Sequence, residues 1–150
     1  RVKSQQSREG VLPLGVGYIA AAETAAELYA YTDVAVQPSR WEGVGLQILE
    51  AMACGCPVIT SDAPPMRDYV QSAYGIRSPD LLVPSRIGQI QLGGTASWPD
   101  AVVSGRDLLA MIEKLRGSSI DVLSRQSREY IEREHGESQW ECLREVIHGH

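Results

Sequence analysis

The chain lacks phenylalanine, has only three cysteines, and contains no apolar run long enough to span a membrane. Leucine, isoleucine, valine, tyrosine and tryptophan must therefore fill the core of what is, at 150 residues, one domain's worth of chain. The formal net charge of −5 argues against nucleic acid as a partner, because nucleic-acid binding needs a basic face. No signal peptide is visible. These absences predict a globular, cytoplasmic protein.

The cysteines and histidines give little support for a metal site. Cys54 and Cys56 have the spacing of a metal or redox pair, but no second pair accompanies them, and both flank Gly55 in a turn between apolar elements. Small buried cysteines are the better interpretation, and they fit a reducing compartment. No spacing of histidine, cysteine and carboxylate suggests a metal, so we predict surface positions for His135, His148 and His150.

One stretch, 33–62, organises the chain. Residues 34–36 predict a short buried strand that stops at a proline. A polar, glycine-bearing turn follows at 39–45, and 46–53 has the apolar spacing of a helix. Residues 58–60 predict the next strand. This strand–turn–helix–strand unit is typical of an open parallel sheet, in which ligands bind at the carboxyl ends of the strands.

Two carboxylates lie in this unit, in different environments. Glu50 has apolar neighbours on nearly every side of its helix, so we expect it to be buried and to need a partner. Glu42 opens the turn, where a bound molecule can reach it. Between them, the backbone N–H groups from Gly43 to Leu46 are the free donors of a helix start, which favour an anion. Gly43 and Gly45 allow a ligand to approach the main chain.

The run P-S-x-x-E-G-x-G-L-x-x-L-E-A-M-A-x-G-x-P-V-I-x-S-D resembles the core of the retaining glycosyltransferases of the GT-B fold, the group 1 or family-four class. The close resemblance covers 17–70, and that family's E-x7-E pair falls on Glu42 and Glu50. The resemblance implies an α/β fold with a Rossmann-like parallel sheet, in which 1–150 is a partial C-terminal, donor-binding domain. It implies transfer of a sugar from a nucleoside diphosphate sugar to a hydroxyl acceptor with retention of configuration.

The resemblance also implies roles for single residues. Glu50 would accept hydrogen bonds from the ribose hydroxyls; the alternative is an internal salt bridge with Arg40 or Arg67. Glu42 would lie beside the donor sugar and stabilise positive charge at the anomeric carbon; the alternative is a solvated turn carboxylate or a charge favoured by the helix dipole. No cofactor or metal is expected, because helix dipoles and basic side chains handle the leaving phosphates.

The remaining candidates are donor-binding groups of the turn and of an earlier strand end. The N–H groups of the turn would face the diphosphate or the sugar, although an isolated G-x-G more often marks an ordinary helix start. The backbone of a strand-end G-Y-I segment would contact the nucleobase. Alternatively, its tyrosine would be an ordinary aromatic residue at the edge of the sheet. Arg40 would touch phosphate. The residues concerned are Gly43, Val44, Gly45, Leu46, Gly17, Tyr18 and Arg40.

Outside the central unit we predict a strand at 11–18, a capped helix from Thr24 to about Thr32, a short helix at 66–72 and strands at 81–83 and 89–92. The segment 73–101 is predicted to be an insertion that forms a hairpin. A helical tail, 107–150, follows and contains three helices. The first is capped by Asp107, the second ends at Gly136, and the third covers 138–147.

The resemblance leaves three hypotheses open. The family's first βα units, its diphosphate-binding Arg and Lys, and its N-terminal acceptor domain have no match in the sequence, so we expect that domain in the same or another chain. The chain is then part of a working transferase, either a truncated piece of it or one subunit of a split enzyme, and that transferase binds a sugar or glycan acceptor. Alternatively it is a non-catalytic nucleotide-sugar-binding or scaffolding module. A GT-B-like epimerase or phosphorylase is the third. Membrane association is expected only through the missing part.

Overall fold

The computed structural model describes residues 25–29, 31–75, 79–91 and 97–136. In chain order these form α1 (Ala25–Tyr29), β1 (Ala35–Gln37), α2 (Leu46–Ala53), β2 (Val58–Ser61), α3 (Met66–Tyr74), β3 (Leu82–Val83), β4 (Ser85–Gln91), β5 (Ser97–Val103), α4 (Gly105–Leu115) and α5 (Asp121–His135). A short 3-10 helix, Pro79–Leu81, precedes β3.

The first three strands form a parallel sheet in the order β1-β2-β3. Ala35 pairs with Val58, and Thr60 pairs with Leu82. Each crossover contains a helix, α2 between the first two strands and α3 before the third. The predicted α/β, Rossmann-like unit is therefore confirmed, including both ends of the helix at 46–53.

Apolar side chains from α2, β2 and α3 make the core on one side of this sheet. Ile48 and Met52 of α2 are fully buried, and they belong to the same cluster as Val58, Met66 and Tyr130. A second cluster packs Ile59, Val70, Leu81 and Val83 against partly buried residues of α4. Because α5 contacts both α2 and α3, the start of the helical tail is part of the domain rather than an appendage.

The segment after the parallel sheet is an antiparallel hairpin, β4–β5, which pairs Ser85 with Val103 and Gln91 with Ser97. A hairpin is present, as predicted, but it starts and ends later than 73–101, and the strand predicted at 81–83 belongs to the parallel sheet as β3. The strand predicted at 89–92 is longer and starts at Ser85, and β5 was not predicted. That this segment is an insertion stays a prediction.

Two helix boundaries differ from the prediction, the start of α4 and the end of α1. The cap of α4 is Ser104, whose hydroxyl accepts a hydrogen bond from the Arg106 N–H at 3.2 Å, so the prediction of Asp107 was wrong. Asp107 lies in the first turn, where its charge is favoured by the helix dipole. Helix α1 ends at Tyr29, earlier than the predicted end at Thr32.

Among the described helices, none combines the length and the apolarity needed to cross a bilayer.

Candidate donor-binding site

The candidate site is built at the carboxyl edge of the parallel sheet, where residues 38–45 connect β1 to α2. Side chains of β2 attach this connection to the sheet: the Thr60 hydroxyl donates to the Gln37 carbonyl at 2.8 Å, and the Ser61 hydroxyl donates to the Ser39 carbonyl at 2.7 Å. Both β2 side chains are fully buried. The start of the connection is therefore fixed to the neighbouring strand.

Glu42 is half-buried in this connection and has a fixed partner. The Ser39 hydroxyl donates to Glu42 Oε1 at 2.7 Å. Glu42 Cγ lies 3.8 Å from the position that a Cβ atom on Gly45 would take, so the glutamate side chain packs against the start of α2. One carboxylate oxygen is thus occupied by serine, and the side chain has a defined direction.

Gly45 determines how the connection enters α2. Its φ of +69° is left-handed, a conformation that costs other residues energy, and a Cβ there would contact Ile48 and Tyr69 at about the van der Waals distance. No side chain caps the helix, whose Ile48 N–H bonds to the Gly45 carbonyl at 2.9 Å. The first N–H groups, of Leu46 and Gln47, therefore have no acceptor within the helix.

Val44 and Leu46 flank this helix start and are largely exposed, Leu46 to 65%. The Tyr69 hydroxyl of α3 donates to the Val44 carbonyl at 2.6 Å and so fixes the second half of the connection. Burial raises the pKa of Tyr69, and the negative charges of Asp68 and Glu42 raise it further. Tyr69 therefore remains a protonated donor at neutral pH.

Glu50 differs from its sequence-based expectation. It is exposed, because α2 buries Ile48, Ala51 and Met52 and leaves the opposite side open. It lies one helical turn after Leu46, on the same exposed side. Burial is the main cause of the raised pKa of Tyr29 in α1, and the charge of Glu50 raises this pKa further.

The internal salt bridges considered for Glu50 do not form. Arg67 instead donates to Asp62 at 2.5 Å, and Arg40 donates from two nitrogens to the Asp100 carboxylate at 2.7 and 2.6 Å. Arg40 is 62% exposed and keeps further N–H donors free for an anion. Within the described ranges, no ion pair involves Glu50, so its carboxylate is open to a ligand.

The other predicted positions are separate from this site or outside the described residues. Gly17 and Tyr18 lie outside them, as do His148, His150 and the helix predicted at 138–147. In the part of the chain that is described, no three His, Cys, Asp or Glu residues are grouped to hold a metal. Cys56 is buried, as predicted, whereas Cys54 is only half-buried; both are free thiols. Burial raises the pKa of Cys56 to about 11.

Sequence reasoning missed the residues that hold the connection from a distance. Tyr69 is 25 residues from its partner Val44, and Asp100 is 60 residues from Arg40. Trp98 makes an edge-to-face contact with Trp41, with ring centroids 5.1 Å apart. None of these pairs follows a local pattern, so no signal in the single sequence identifies them.

Comparison with known families agrees with the resemblance read from the motif. Residues 16–84 match the family described as glycosyl transferases group 1, and this segment contains β1, α2 and β2 with both glutamates. The predicted resemblance to group 1 glycosyltransferases is therefore confirmed for this segment.

Two curated relatives carry this similarity. Over a match of 53 residues, the chain is 43% identical to the O-antigen chain mannosyltransferase B of Escherichia coli. This match covers 35% of this chain and 14% of that protein. Over a match of 34 residues, it is 56% identical to the lipopolysaccharide core biosynthesis mannosyltransferase LpsB of Rhizobium meliloti strain 1021. This match covers 23% of this chain and 10% of that protein. The chain thus matches only a small part of each relative. No solved structure matches it significantly.

Proposed function

We propose that this chain forms the donor-binding part of a glycosyltransferase that moves a sugar from a nucleoside diphosphate sugar to a hydroxyl acceptor with retention of configuration. The observation that supports this proposal is the arrangement around the start of α2. A fixed Glu42 precedes the helix start, which has no side-chain cap, and an exposed Glu50 that pairs with no described residue lies one turn beyond it.

Glu50 is proposed to hold the donor by its ribose. An ionised carboxylate accepts two hydrogen bonds from a vicinal diol, and such charge-assisted bonds are stronger than neutral ones. The side chain is exposed and has no ion pair with a described residue, so no ion pair within the described part of the chain has to break when the ribose binds.

Glu42 is proposed to face the sugar at the reacting carbon. Cleavage of the glycosidic bond develops positive charge there, and a carboxylate held in one direction stabilises that charge without reorganising. Ser39 occupies Oε1 and supplies this direction, which leaves Oε2 for the substrate.

The free N–H groups of Leu46 and Gln47, at the positive end of the α2 dipole, are proposed to receive the diphosphate. The exposed guanidinium of Arg40 adds a cation next to the turn. Together these groups would stabilise the leaving nucleoside diphosphate without a metal. The acceptor and its activating groups are assigned to a further domain, in the same or another chain.

Calorimetric titration of the chain with UDP, GDP and ADP and with their sugar derivatives tests the donor site. Mannose derivatives come first, because both curated relatives are named mannosyltransferases. We expect one base to bind, and Glu50→Ala to abolish most of that binding. Glu132→Gln, an exposed glutamate on α5, is the matched control.

The outcome also separates a transferase from a binding module. Binding that disappears in Glu50→Ala supports the donor site, and product formation with the longer gene product then supports catalysis. Binding without turnover in that longer product would favour a non-catalytic module instead. A folded chain that binds none of these nucleotides would contradict the proposal for the chain alone.

A further inference from the structure

The β4–β5 hairpin contacts the turn that carries Glu42. The Ala101 N–H of β5 donates to the Arg40 carbonyl at 2.7 Å, and the Ala101 side chain is buried. The segment that matches the family ends at residue 84, and the hairpin begins at Ser85. These contacts therefore come from a part of the chain that lies beyond the matched segment.

Two side-chain contacts strengthen this attachment. The Arg40 guanidinium donates two hydrogen bonds to the Asp100 carboxylate, whose side chain is only 13% exposed. The Trp41 and Trp98 rings meet edge to face, with 44% and 39% of these residues exposed. Bidentate pairs and edge-to-face aromatic pairs both fix relative orientation as well as distance.

We propose that Asp100 and Trp98 are positioning residues that hold the Glu42 turn in its donor-binding shape. The inference rests on the proposed function and extends it to the hairpin. Asp100 and Trp98 do not touch the donor; they act through Arg40 and Trp41, the two residues that immediately precede Glu42.

The hairpin is needed because the other attachments hold only the two ends of the turn. Ser61 fixes the Ser39 carbonyl, and Tyr69 fixes the Val44 carbonyl. Residues 40 and 41 lie between these points, and their described contacts are with β5. Without the hairpin contacts, the backbone immediately before Glu42 gains conformational freedom. Donor binding must then remove this freedom, which weakens the binding.

The test compares Asp100→Asn, which removes the charge and keeps the shape, with Trp98→Leu and the double variant. We expect the sugar nucleotide bound by the wild-type chain to bind about fivefold more weakly to Asp100→Asn and about tenfold more weakly to the double variant. Trypsin is expected to cut after Arg40 faster in each variant. Asp100→Glu, which keeps the charge, should recover part of both properties.

Ser97→Ala is the matched control, because Ser97 lies on β5 and its hydroxyl donates to the Gln89 side chain of β4 rather than to the Glu42 turn. It should change neither donor affinity nor cleavage after Arg40. If the wild-type chain binds a donor and folded Asp100→Asn and Trp98→Leu bind it equally well or more tightly, the inference is wrong while the proposed function stands.

If the wild-type chain binds no donor, the proposed function fails, and the protease measurement decides the inference alone. Faster cleavage after Arg40 in Asp100→Asn, with an unchanged melting temperature, would still support the hairpin's hold on the turn. An unchanged cleavage rate would overturn it.

Discussion

The two glutamates of the E-x7-E pattern are eight residues apart, and the protein holds them in opposite ways. Glu42 is half-buried, bound by Ser39, and lies in a turn attached to β2, α3 and the hairpin. Glu50 is exposed on a helix and is in no ion pair with a described residue. The turn around Glu42 is therefore preorganised, whereas the carboxylate of Glu50 is accessible to solvent.

This difference agrees with different tasks for the two carboxylates. Stabilisation of charge at a reacting carbon requires a group whose direction is fixed before the reaction. Recognition of a ribose requires two acceptor oxygens that are accessible and can adjust to the ligand. The following predictions test how far the turn is fixed and how far the helix face is free.

The largest effect is expected from the buried side of α2. Met52→Ala removes a fully buried side chain from the main cluster and should lower the free energy of unfolding by about 2–5 kcal/mol. Leu46→Ala, on the exposed side of the same helix, should change it by no more than about 0.5 kcal/mol. Urea unfolding followed by circular dichroism measures both. Equal losses would contradict the distinction between the two sides.

The next effect is expected in the turn itself. Gly45→Ala places a Cβ at a φ of +69° and should cost about 1–2 kcal/mol of stability. It should also weaken donor binding, because relief of the strain moves the turn. Gly43→Ala is the control, since a Cβ there meets nothing within 4 Å. Equal stability of the two variants in thermal unfolding would show that the turn is not fixed at Gly45.

Tyr69→Phe removes one attachment of the turn and should cost about 0.5–1.5 kcal/mol, the net worth of one hydrogen bond. Tyr31→Phe, at an exposed tyrosine, serves as the control. We expect amide hydrogen exchange in the turn to accelerate in Tyr69→Phe and not in Tyr31→Phe. Identical exchange rates in both variants would show that Tyr69 does not hold the turn.

The smallest effect is a dependence of stability on alkaline pH. Burial raises the pKa of Cys56 from 9.0 to about 11, so the unfolded chain releases this proton first and deprotonation favours unfolding. The stability that the protonated Cys56 thiol contributes is intact below about pH 9 and is lost as the pH rises towards 11. Cys56→Ala should show a shallower decline of the unfolding free energy over this range. An equal decline would mean that Cys56 does not titrate as described.

The sequence was sufficient for the elements that have local boundaries. Pro38 ends β1, and Gly55 with Pro57 separates α2 from β2, so those bounds were predicted within a residue. The burial of Glu50 was predicted wrongly, because an eight-residue helix with many small and apolar residues does not reveal which side faces the core.

Contacts between distant segments were not predictable from one sequence. Strand β5 contains Pro99, which argues against a strand unless a partner is known, and that partner is β4. The Asp100–Arg40 and Trp98–Trp41 contacts depend on where the hairpin packs. The candidate glutamates came from a motif, whereas the residues that position one of them required the folded chain.

The most direct test of the account is a titration that treats the two glutamates separately. Glu50→Gln and Glu42→Gln are each titrated with the nucleoside diphosphate that binds the wild-type chain and with its sugar derivative. We expect Glu50→Gln to weaken binding of both ligands, because both contain the ribose. Glu42→Gln should weaken only the sugar derivative. Equal losses of both ligands in the two variants, or no loss in Glu50→Gln, would contradict the separate roles.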